Sequence, residues 1–256
     1  MTIKEITDLI EAFAPLALQE SYDNSGLIVG RPDDQVHKAL LAVDVTDEVM
    51  DEAESEGCDI IITHHPIIFH PLKRFNSANQ VERCVERAIR RGIALYACHT
   101  NLDSTAEGMS WRLATMLGVK TLEVLQPTAA GEQSGFGVVG EIEEPMPTEE
   151  FMHHLMEVTG AEVVRHSDIA TPTVSRVAVC TGSGAFLIGE ARKAGADIYV
   201  TADLKYNDFM APDGALTVAD IGHLRANIAQ LKFYLIFYQK IFLPLRFARV
   251  SALAIR

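Results

Sequence analysis

The chain has 256 residues, enough for one large domain or two modest ones, and its 48% hydrophobic content is sufficient for a full core. No stretch of about 18 uncharged apolar residues occurs, which argues against a membrane span. The formal net charge of −13 argues against a nucleic-acid partner, which needs a basic surface, and suits a chain that holds divalent cations.

Met1-Thr2-Ile3-Lys4-Glu5 runs straight into a helical pattern over 3–13, so no charged-then-apolar leader is expected. Ser21 to Gly26 reads as a turn before Leu27-Ile28-Val29. Ala39 to Val43 reads as a strand, 48–56 as a helix closed by Gly57, and Ile60-Ile61-Ile62 as a buried strand. A helix over 78–91, a strand from Ile93 to Cys98 and a helix over 107–117 follow. Residues 127–137, rich in Gly, Ala and Ser, read as a linker or crossover. Beyond them the spacing predicts a strand over 138–142 and a helix over 148–159, then a strand over 177–180 and a helix over 184–194. Strands over 198–201 and 216–219 complete the pattern. The alternation predicts an α/β fold with mostly parallel or mixed sheets in two lobes, 1–126 and 127–220, followed by an atypical segment 221–256. Cys58, Cys84, Cys98 and Cys180 are scattered without a C-x-x-C pair, as expected of buried thiols in a reducing cytoplasm.

Polar residues gather where the strands stop. First-lobe strands end at Asp44, at His64-His65 and at His99-Thr100-Asn101-Leu102-Asp103. Second-lobe strands end at Thr181-Gly182-Ser183-Gly184, at Thr201-Ala202-Asp203 and at Asp220-Ile221-Gly222-His223. Open α/β sheets bind ligands just beyond these carboxyl ends. Neighbours on a regular strand face opposite ways, so one metal does not easily take both His64 and His65. If the strand breaks into a loop there, each imidazole can serve a different metal, which hints at a dinuclear centre. Asp103 adds a carboxylate able to bridge two cations; its other reading is the N-cap of the next helix. His223 offers a third imidazole. His99 suits contact with substrate or support of a ligand as well as ligation itself. Thr181 to Gly184 fits either an anion cradle or a tight βα turn, and lacks the lysine of a P-loop.

The set Asp23-Asn24-Ser25-Gly26-Leu27, Thr63-His64-His65-Pro66-Ile67-Ile68-Phe69, His99-Thr100-Asn101-Leu102-Asp103, Gly182-Ser183-Gly184, Thr201-Ala202-Asp203-Leu204-Lys205-Tyr206 and Gly222-His223 resembles the Nif-three-like dinuclear-metal family, catalogued as GTP cyclohydrolase type 2 homologues. The match runs in order from about residue 5 to His223. The resemblance implies two α/β lobes per subunit, a toroidal homohexamer and two divalent metal ions per subunit at the lobe interface. It implies His64, His65, Asp103 and His223 as ligands. The family's last ligand is a glutamate four residues after the final histidine, and Asn227 stands there. A neutral amide is a poor bridge between two cations, so reduced metal occupancy is expected.

From Ile221 to Arg256 there is no Asp or Glu, although the chain has 35, while six Lys or Arg and six Phe or Tyr crowd the same stretch. Average composition would place about five acidic residues there. We read this as a shift of reading frame just after His223, since bases encoding Leu-Arg-Ala can read Tyr-Glu in the next frame. A natural basic amphipathic tail is the alternative, and resequencing the gene across the junction separates the two. The residues and the resemblance together point to a metal-dependent hydrolase of the cyclohydrolase or amidohydrolase type. Its substrate would be a small molecule, GTP or another nucleotide among the candidates. His99 or Asp203 would move protons, and Zn, Fe, Mn or Co would serve as the metal. The alternative is a non-catalytic, ring-forming metal-binding scaffold or regulatory protein.

Overall fold

The computed structural model describes residues 1–129, 131–227 and 246–249. Of the atypical segment 221–256, in which the inferred frame shift falls, residues 228–245 and 250–256 lie outside the described residues. The chain divides into two compact units, the first built on Met1–Leu102 and the second beginning at Asp103.

The first unit opens with α1 (Ile3–Phe13), whose start is fixed by reciprocal bonds: Glu5 N–H donates to Thr2 Oγ1 at 3.2 Å and Thr2 N–H to Glu5 Oε2 at 2.8 Å. Ile3, Ile6, Thr7 and Ile10 bury one face of this helix. There follow β1 (Gly26–Val29), β2 (Lys38–Ala42), α2 (Asp47–Ser55), β3 (Ile60–Thr63), α3 (Gln80–Arg91) and β4 (Ala94–Ala97). β2, β3 and β4 are parallel and β1 is antiparallel to β4. β3 and β4 are buried at every position, which is why they read as unbroken apolar runs rather than alternating ones. Asn79 caps α3 by accepting from Glu82 N–H at 3.0 Å, and Gly92 ends it with a left-handed φ of 69°. Asn79→Ala is expected to cost about 1 kcal/mol, seen in thermal melts as a fall of roughly 2–4 °C for a chain of this size.

The boundary between the units falls within α4 (Thr100–Ser104), and the second unit continues with α5 (Met109–Met116), β5 (Val119–Thr128), β6 (Gly131–Pro147), α6 (Thr148–Thr159), β7 (Arg165–His166), β8 (Thr173–Ser183), α7 (Ile188–Lys193), β9 (Ile198–Ala202) and β10 (Thr217–Asp220). Its sheet runs β5-β6-β8-β9-β10-β7. β8, β9 and β10 are parallel, whereas β5, β6 and β7 pair antiparallel, so the fold is α/β with mixed sheets. Phe151, Leu155, Val177, Val179, Ile198 and Val200 fill one side of the sheet's core, and Leu187, Tyr199 and Leu216 belong to the cluster on the other. One last strand, β11 (Arg246–Arg249), pairs in parallel with β2 and closes the first unit's sheet as β1-β4-β3-β2-β11.

The expected linker at 127–137 is instead part of the β5–β6 pair, with Val124 opposite Val138 and Gln126 opposite Phe136. The expected strand over 138–142 is the middle of the 17-residue β6. Glycine is required there by packing: a Cβ on Gly135 or Gly140 would run into the carbonyl oxygen of Gln126 or Lys120.

Candidate metal centre

Register builds the first half of the site. Ala42, Thr63 and Ala97 are partners across β2, β3 and β4, so three parallel strands stop at one level. The next polar residues, Asp44, His64-His65 and His99, therefore share one edge. The ladder persists briefly beyond it: His65 N–H donates to Val43 O at 3.0 Å and Cys98 N–H to Thr63 O at 2.9 Å. β3 ends at Thr63, whose hydroxyl donates to His65 O at 2.9 Å and curls the chain back. The two histidines have left the strand, so their rings come together with centroids 4.9 Å apart. His99 lies 5.2 Å from His64 and 5.4 Å from His65. One ligand-competent nitrogen from each of the three lies within 4.8 Å of the others, and all three residues are half-buried.

Each imidazole is oriented through Nδ1. His64 Nδ1 donates to Cys98 O at 2.9 Å, His65 Nδ1 pairs with Asp44 Oδ1 at 2.8 Å, and His99 Nδ1 pairs with Asp23 Oδ1 at 2.7 Å. A carbonyl oxygen cannot donate, so neutral His64 carries its proton on Nδ1 and its lone pair on Nε2. The carboxylates select the same tautomer at His65 and His99. This is the arrangement of metal-binding histidines, whose other nitrogen donates to a carboxylate or carbonyl. The residues therefore fit a divalent ion.

Asp23 is the anchor that sequence reading passed over as part of a polar turn. Its side chain is fully buried. Besides His99, it accepts from Thr100 N–H at 3.0 Å, Ser25 Oγ at 3.0 Å and the Thr100 hydroxyl. Burial opposes its ionisation, but the bonds from His99 and Thr100 outweigh that and hold the carboxyl well below the usual range. Buried Asn101 accepts from His99 N–H at 2.9 Å and donates to Ala14 O at 2.8 Å, pinning the start of α4.

The second unit repeats the device. His223 Nδ1 pairs with Asp203 Oδ2 at 2.7 Å, and the Ser183 hydroxyl donates to the same oxygen. Asp203 has a left-handed φ of 58°, a strained conformation for a non-glycine residue, just after β9. The candidate proton carrier Asp203 is thus placed as the residue that orients His223. Asp103 is half-buried inside α4, and α5 is capped at Gly108, so the N-cap reading of Asp103 fails. Burial, helped by the charge of Asp103, pushes the Cys180 thiol up to about 12. Asn227 is buried at 2% exposure. In Thr181 to Gly184, Thr181 N–H donates to Ser110 Oγ at 3.1 Å, and the Tyr199 and Thr201 hydroxyls donate to Gly184 O and Gly182 O, which fixes the turn after β8. All four cysteines are buried, and burial pushes Cys58 up to about 11 and Cys84 to about 12; the ligand atoms grouped at His64, His65 and His99 are imidazole nitrogens.

Comparison with known proteins places this chain in a family. The profile of Duf34/NIF3 (NGG1p interacting factor 3) matches residues 1–235. A Clostridium perfringens protein named GTP cyclohydrolase 1 type 2 homolog is 32% identical over 229 residues, spanning 89% of this chain and 87% of its own length. The solved structure of a Bacillus cereus protein related to NIF3 has a TM-score of 0.90 over 99% of this chain and 98% of that one; at 24% identity it shows the fold. Reduced HcgD from Methanocaldococcus jannaschii has a TM-score of 0.83 at 27% identity, covering 98% of each chain.

Proposed function

The chain belongs to the Duf34/NIF3 family, and from that premise we propose that it binds two divalent metal ions and is a metal-dependent hydrolase of the cyclohydrolase or amidohydrolase type. The observation that carries this reading is the cluster of His64, His65 and His99, each imidazole oriented through Nδ1. His64, His65, Asp103 and His223 would hold the ions, with His99 beside them and Asn227 in the place of a last carboxylate. Bound there, divalent ions supply Lewis acidity and lower the pKa of water towards neutrality. Asp44 and Asp203 keep His65 and His223 in the tautomer that presents Nε2. Asp23 holds the Nδ1 proton of His99 and stabilises that ring if it takes a second proton at Nε2 during turnover. The name of the Clostridium perfringens relative puts GTP first among small-molecule substrates to try. A homohexamer is part of this reading and is checked by sedimentation mass.

Elemental analysis of the purified chain followed by a hydrolysis screen on nucleotides tests the proposal. It expects bound divalent metal and turnover of at least one class. Asp44→Ala is expected to weaken metal binding by about 10–100-fold, the usual effect of removing a ligand's hydrogen-bond partner, read by chelator competition. The second reading, a metal-binding scaffold without turnover, is favoured by one observation: the neutral amide of Asn227 is buried where relatives are expected to carry a carboxylate. Tight stoichiometric metal with no turnover across substrate classes would select it.

A further inference from the structure

Exposed aromatic side chains scattered singly are ordinary, but two here are neither single nor remote from the imidazoles. Tyr22 is 62% exposed and Phe69 38%. Their ring centroids are 6.2 Å apart with planes inclined at 58°. Phe69 also meets His99 edge-on at 6.1 Å and 80°, and His70 at 5.1 Å and 73°. The segment carrying Tyr22 is tied down by the two residues that follow it. Asp23 holds His99, and Asn24 Nδ2 donates at 2.7 Å to Ile68 O, the carbonyl just before Phe69. One short loop thus fixes an imidazole of the cluster and both aromatic rings in a single frame.

We propose that Tyr22 and Phe69 form the wall on which the substrate's planar heterocyclic ring, a nucleobase, stacks beside the imidazoles. The proposal rests on the metal-hydrolase reading and adds the class of ring and the residues that receive it. The two ring planes are inclined at 58° and both side chains reach solvent. A flat ring lies face to face on one plane and presents its edge to the other, both favoured arrangements of π systems. Stacking tolerates any base because every base has a π face, so Tyr22 and Phe69 set position and inclination.

The test is calorimetric titration of the zinc-loaded full chain with guanosine, using wild type, Tyr22→Ala, Phe69→Ala and Phe69→Tyr, with zinc content and solution mass measured on every sample. Phe69→Ala is expected to weaken guanosine at least about tenfold and Tyr22→Ala several-fold, the range of losing one base-stacking partner. Phe69→Tyr is expected to retain binding, with zinc and mass unchanged throughout. Equal affinity in wild type and Phe69→Ala, or no guanosine bound by zinc-loaded wild type, would overturn the proposal. Loss of guanosine accompanied by loss of zinc would make Phe69 a support for His99, and a fall in mass would make the pair a contact between subunits; either also overturns it. If wild type takes up no zinc, the metal reading fails by itself, and the same titration of the metal-free chain then decides the wall: a wild-type advantage over Phe69→Ala upholds it, and equality removes it.

Discussion

His64→Ala is expected to lose metal affinity by more than about 100-fold, beyond the 10–100-fold that follows loss of a supporting residue. The ring is one of three imidazoles whose ligand-competent nitrogens lie within 4.8 Å of one another. It is also the one whose tautomer is unambiguous, because Cys98 O can only accept. Removing it leaves His65 and His99 with their carboxylate partners Asp44 and Asp23 intact. Metal content after gel filtration, by elemental analysis, reads the loss. The far-ultraviolet spectrum should stay that of the wild type, since His64 lies outside the strand that precedes it.

Asp23→Ala is expected to be the most destabilising single change in the first unit outside its apolar core. It leaves His99 Nδ1, Thr100 N–H, the Thr100 hydroxyl and Ser25 Oγ without the acceptor that now serves all four. Breaking a buried, hydrogen-bonded charge site in this way costs about 3–5 kcal/mol, several times the loss of a helix cap. Guanidinium unfolding of chelator-treated wild type and variant measures it without any contribution from metal. A loss below about 1 kcal/mol, the size of one ordinary hydrogen bond, would show that the network around Asp23 is not the anchor described above.

Much of the site could be read from the sequence because it sits where buried parallel strands end. Ile60-Ile61-Ile62 must be a core strand, so His64-His65 must stand at its mouth, and the run from Ile93 to Cys98 places His99 by the same logic. What could not be read is the set of partners that orient these rings. Asp23 sits beside Asn24, Ser25 and Gly26, all turn formers, and nothing local says that its carboxylate is reserved for a histidine 76 residues away. Asp203 was legible as a strand end but not as the oxygen that holds His223. The long β5–β6 pair was hidden for another reason. Gly135 and Gly140 look like linker composition, whereas their role is to let two backbones approach where any side chain would meet a carbonyl. The antiparallel β5–β6 pair is joined with no helix between its strands, whereas β1 pairs antiparallel with β4 across α2 and α3, where chain order alone suggests parallel neighbours.

Anomalous scattering from a crystal of the chain grown with zinc tests the central claim most directly. Two peaks about 3.5–4 Å apart are expected, the spacing of a two-metal site, with His64 and His65 among the nearest side chains and the peak nearer Asn227 the weaker. A single peak, or none beside His64, His65 and His99, would contradict it.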